Sequence, residues 1–152
     1  MSLSNDLRLT IRSTQTQNTG MASVTCSISK SVVEPLAGAD ACYSADLALS
    51  TADDDFDLVG GLEDAAGNVV SFSKVKALYF YNKSDTAMPL GGANNVPFFA
   101  DPTDKLVIPA GARVMLLNPT GFTVTAGTGD LITVAGTAGK TFELCVIGDS
   151  NS

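Results

Sequence analysis

Residues 50–67, STADDDFDLVGGLEDAAG, carry Asp53, Asp54, Asp55, Asp57, Glu63 and Asp64 with no Lys or Arg among them. Carboxylates at this density can ligate a hard cation, face a basic partner, or lie in a solvated turn. Counted as a calcium loop from Asp53, ligand positions 1, 3 and 5 fall on Asp53, Asp55 and Asp57, and position 12 falls on Asp64. The position that needs Gly for the sharp turn holds Leu58, the last ligand lacks the longer bidentate Glu, and no flanking helix is expected. The favoured reading is a solvated turn between strands, with an acidic face for a basic surface as the alternative. No metal and no cofactor are assigned.

Other chemistry is sparse. The chain has no His, which removes the commonest general base, the commonest zinc ligand and every Ser-His or Cys-His arrangement. GTAGKT, residues 136–141, ends like a phosphate loop, but the first Gly of that motif would fall on Val134, and the segment runs from strand to strand. A hairpin turn is expected there. Cys26, Cys42 and Cys145 lack metal-ligand spacing and read as free buried thiols. No catalytic residue is assigned, and a non-enzymatic role is expected.

Sixteen Asp and Glu stand against nine scattered Lys and Arg, a net charge of −7, so no footprint for gripping nucleic acid is present. The first residues show neither a secretion signal nor an apolar span, so no membrane partner is expected and folding in a cytoplasm is.

The elements that would position these groups read as strands. Leu7, Leu9 and Ile11 alternate with Arg8, Thr10 and Arg12, and after a polar run at 13–20 the alternation resumes at Ala22, Val24, Cys26 and Ile28. Residues 31–40 read as a connection with at most a short helical turn. In residues 67–84 the apolar phase slips between Phe72 and Val75, which predicts a bulge near Ser73 and Lys74, with Val75, Ala77, Tyr79 and Tyr81 on one face. IPAG (108–111) and NPTG (118–121) read as type I turns with Pro second and Gly fourth, separating short strands. The expectation is an all-β, antiparallel, jelly-roll-like β-sandwich: residues 1–20 as an N-terminal strand or arm, residues 21–152 as a single sandwich domain.

Leu7, Arg8, Leu9, Ile11 and Arg12 form the first candidate interface. They suit either an arm added to a neighbour's sheet edge or the first strand of the chain's own sheet. Phe98 and Phe99, in the Pro-rich stretch 82–102, form the second, either as a contact patch or anchored inward.

The turns and strands of residues 58–148 resemble a group of small tailed-bacteriophage virion proteins. The resemblance is carried by the L-x-D-x-x-G-N turn at Leu62 to Asn68, the K-A-L-Y strand at Lys76 to Tyr79, the Gly-Gly turn at Gly91 and Gly92, the P-G turn in IPAG and the G-T-G-D-L hairpin at Gly127 to Leu131. It implies a virion part made in a host cytoplasm, decorating or cementing the capsid surface. The implied partners are the major capsid protein or other virion proteins and further copies of itself, in a small homo-oligomer such as a trimer. The alternative is a tail-associated or receptor- or carbohydrate-binding sandwich module.

Overall fold

The structure, a computed structural model, describes residues 6–19, 22–64, 66–99, 101 and 103–151, and for 6–9, 11–19 and 22–35 it describes the backbone alone. The strands are β1 (Asp6–Thr19), β2 (Ala22–Pro35), β3 (Ala41–Ala48), β4 (Asp53–Asp57), β5 (Val59–Glu63), β6 (Val69–Asn82), β7 (Met88–Gly91), β8 (Lys105–Ile108), β9 (Arg113–Thr123), β10 (Leu131–Ala135) and β11 (Thr141–Ser150). No helix occurs among the described residues.

Two antiparallel sheets form a sandwich. One has the order β4-β10-β7-β8, the other β3-β11-β6-β5, with β9 also paired to β6. This order establishes a sandwich and carries no jelly-roll assignment, whose mark is a pair of four-stranded sheets. Between the sheets lie Phe72, Leu78, Phe80, Phe142 and Leu144 from one side and Met88, Leu90, Ile132 and Val134 from the other, all fully buried. Phe142 ties the layers together, stacked on Phe80 at 5.3 Å and edge-on to Phe56 of β4 at 5.8 Å.

The first two strands stand apart from both sheets. β1 and β2 pair in unbroken register from Asp6↔Pro35 to Thr19↔Ala22 and form a sheet of two strands. At the rise of an extended chain, 14 residues make a ribbon ~46 Å long. The polar run 13–20, read as a turn, is strand through Thr19, because Thr14 and Thr16 favour extended backbone and face Ser27 and Thr25 across the ribbon. Residues 31–35, read as connection, continue β2. The unit beside the sandwich is therefore a hairpin ending at Pro35, not a single strand ending at residue 20.

In β6 the slip predicted at Ser73 is present: the register with β11 steps from Asp149↔Lys74 to Ser150↔Phe72. A second slip lies at Lys76, between Gly148↔Val75 and Ile147↔Ala77. Two slips restore the original phase, so Leu78, Phe80 and Asn82 face the core, while Tyr79 and Tyr81 lie half-buried on the outer face. The expected grouping of Val75, Ala77, Tyr79 and Tyr81 on one face therefore fails after Val75.

The turns also differ from expectation. In 108–112 the bond runs from Ala112 N–H to Pro109 O at 3.1 Å, which puts Gly111 third with φ 71°, a type II position rather than type I. NPTG does not end a strand. Residues 118–121 bulge out of β9 opposite Lys76, and the pairing with β6 resumes at Phe122↔Val75. Residues 136–140 join β10 to β11 and so connect the two sheets, where a hairpin within one sheet was expected.

Candidate interaction surfaces

The acidic stretch, read as a turn, has at its centre β4, an edge strand that among the described residues pairs with β10 alone. Asp53, Asp55 and Asp57 alternate on its exposed face, about 6.6 Å apart along the chain, and so line an edge rather than surround a point. Among the described residues no three acidic, Cys or His side chains converge as a metal site. Asp54, Asp57 and Asp64 also hold turns. Asp54 accepts the Ser50 and Thr51 amides at 2.7 and 3.1 Å and both hydroxyls. Asp57 accepts the Val59 amide at 2.7 Å, and Asp64 accepts the Ala66 and Asn68 amides, each at 2.8 Å. The L-x-D-x-x-G-N motif is thus an aspartate-capped turn, with Gly67 at φ 80°.

The Ser50 amide beside Asp54, and the Asn68 side chain and amide beside Asp64, hold both carboxyls below their ordinary value of 3.8. Because the folded state favours the anion, this stabilisation is complete above that value and is lost as pH falls through the lower folded values. Denaturant midpoints should therefore drop between pH 7 and pH 3, and the drop should shrink in an Asp54→Asn, Asp64→Asn variant. An equal drop in the variant would remove these caps from the account.

The outer face of the larger sheet carries half-exposed apolar side chains. Ser44, Cys145, Tyr79 and Met115 form one row across four strands, and Asp46, Glu143, Tyr81 and Arg113 form the next. Arg113 lies over the Tyr81 ring at 3.6 Å and donates to the Tyr79 hydroxyl at 3.2 Å. Lys83 pairs with Asp46 and lies 3.6 Å from Glu143. Met115 and Leu117 are 36% and 37% exposed. Cys42 and Cys145 are free thiols on adjacent strands, half-buried rather than buried as expected, while the side chain of Cys26 lies outside the described residues. The hydrogen bond from Cys145 draws the Cys42 thiol down to about 7, and the same bond together with burial pushes Cys145 up.

Where this face meets the root of the ribbon it is covered. Leu36 and Ala39 pack on Ala77 and Ile147. In the same segment the ammonium of Lys76 binds Asp149 and donates to the Ala37 carbonyl at 2.5 Å. Sequence reasoning missed this latch. Its signal is a Lys set between Val75 and Ala77 in an otherwise apolar run.

The two predicted interface groups lie on different units. Leu7, Arg8, Leu9, Ile11 and Arg12 lie on β1. The register puts Leu9 opposite Val32 but Ile11 opposite Lys30 and Leu7 opposite Glu34, so one face of the ribbon collects Leu7, Leu9, Ile11, Val24, Ile28 and Val32 together with Gln15, Gln17, Lys30 and Glu34. The other face collects Arg8, Thr10, Arg12, Ser27, Ser29 and Ser31. Sequence reasoning left the β2 residues out, although their alternation from Ala22 to Ile28 was the signal. Phe98 and Phe99 belong to the sandwich and are half-buried: Phe98 meets Phe122 edge-on at 5.2 Å, and Phe99 packs beside Phe98.

A cleft of about 400 Å³ lies between Asp40, Cys42, Asp64, Val69 and Asn151. Its carboxylates are engaged by the protein itself, Asp40 with the Ser150 amide at 2.6 Å and Asp64 with its own turn. No family model, curated protein or solved structure matches the chain.

Proposed function

We propose that the chain is a non-enzymatic structural protein of a tailed-phage particle, assembled in the host cytoplasm, which decorates or cements the capsid by protein–protein contact. The observation that carries this reading is the ribbon. A two-stranded hairpin is marginally stable by itself in water, yet β1 and β2 extend for 14 residues each, with the aliphatic residues Leu7, Leu9, Ile11, Val24, Ile28 and Val32 on one mixed face and, among the described strands, none of the sandwich paired to them. Such an element gains its stability by covering a partner's surface, which is how an arm grips a neighbour. The sandwich supplies a rigid body. Its net charge of −7 keeps it soluble until it meets the partner surface.

The test is copy number in purified particles. Copies in a fixed ratio to the major capsid protein are the expected result. A few copies per particle together with glycan binding would replace this reading with the tail-associated or receptor-binding module.

A further inference from the structure

β4 ends the smaller sheet, so the edge away from β10 carries backbone donors and acceptors that no described strand pairs. Natural sheets protect such edges with charge, and two β4 edges facing each other would set Asp53, Asp55 and Asp57 against their own kind. The edge thus refuses a copy of itself but not a cationic strand. The same chain contains one. β1 has Arg8 and Arg12 on one face with Thr10 between them, Leu9 and Ile11 on the other, and, among the described strands, β2 on one edge alone.

We infer that the edge of β1 away from β2 adds to the β4 edge of a second copy of this chain, with Arg8 and Arg12 beside Asp53 and Asp57. The inference rests on reading the ribbon as an arm. Both charge pairs are four residues apart, so the match holds for either strand direction, with Thr10 beside Asp55. On the other face, one of Leu9 and Ile11 falls beside Phe56, which is half-buried against Phe142, and the other beside Asp54. Backbone bonds give the affinity and the alternate side chains give the register. The other free edges fit worse. β3 offers one acid, Asp46, paired with Lys83, against three on β4, where Asp55 accepts the Thr133 hydroxyl and Asp57 the Val59 amide; β5 is interrupted by Gly60 and Gly61; β8 and β9 carry Lys105 and Arg113. Charge complementarity therefore selects β4, and the like charges on β4 exclude the wrong pairing.

Sedimentation of the full chain at physiological salt tests this. The native chain should self-associate. Arg8→Asp with Arg12→Asp, and separately Asp53→Lys with Asp57→Lys, should each weaken association about tenfold or more, because attraction becomes repulsion. The variant carrying all four changes should recover association to within about threefold of native, a rescue that a merely structural role cannot produce. Asp53→Asn with Asp57→Asn, which can keep the bond to the Val59 amide, should give a smaller loss in the same direction. Each variant is first checked for a native unfolding midpoint. A monomeric native chain, undiminished association in either reversed pair, or no recovery in the fourfold variant would overturn the inference. Failure of the arm reading would show differently, as full particle binding by variants in which Leu9 and Ile11 are replaced by Asp.

Discussion

Replacing Gly148 with Ala should cost about 3 kcal/mol or more, at the upper end of what overpacking does. Gly148 lies in β11, between Ala41 of β3 and Val75 of β6. A Cβ there would lie 1.9 Å from the Lys74 carbonyl oxygen and 2.9 Å from its carbon, with the Phe72 ring at 3.1 Å. The atom in the way is backbone, so no rotamer change relieves the clash. The two strands must part where β6 is already interrupted at Ser73 and Lys76, and the ladder bonds around Val75 are lost with them. The cause is contact rather than dihedral strain, since Gly148 is absent from the left-handed region. Urea denaturation measures it. A loss under about 1 kcal/mol would mean that β6 can shift away and that the bulge does not fix the approach.

The second large effect is an asymmetry at the root of the ribbon. Asp149→Ala should cost about 3 kcal/mol, whereas Lys76→Met should stay within about 1 kcal/mol of the native protein. Lys76 is 5% exposed, and its ammonium has the Asp149 carboxylate and the Ala37 carbonyl as partners. Removing the carboxylate leaves a charge in a nearly closed site. Removing the ammonium leaves an apolar chain of similar length beside Ala37, and an acid that is 27% exposed to water. Both variants loosen residues 36–40, so cleavage by a protease near Leu36 should accelerate in each, while the denaturant midpoint separates them. A costlier Lys76→Met than Asp149→Ala would show that the pair contributes net attraction beyond its desolvation.

Much of the sandwich was legible because period two is a strong signal wherever one face is buried. The extended character of Tyr43 to Ser50 and the short apolar runs KLVI, LITVA and TFELCVI between turn residues correspond to β3, β8, β10 and β11. What escaped was set by partners. DDDFD reads as a turn by composition, yet its backbone bonds to β10 make it a strand, and an edge tolerates charges that an interior strand would not. The second slip at Lys76 was invisible because an even number of slips restores the phase; only the pairing with β9 and β11 reveals it. NPTG has the composition of a reversal but serves as a bulge, since the same strand resumes beyond it. The amphipathic pattern of β1 was legible from Leu7 to Arg12, but its pairing with β2 alone was not, because alternation names a face and never the neighbour along the edge.

The account depends on the ribbon being a separate adhesive unit whose removal spares the sandwich. The direct measurement compares the full chain with residues 36–152, which keep Leu36 and the Lys76 latch, in unfolding midpoint and in binding to particles. The predicted result is a midpoint nearly unchanged with particle binding lost. A shortened chain that binds particles as the full chain does, or that no longer unfolds cooperatively, would contradict it.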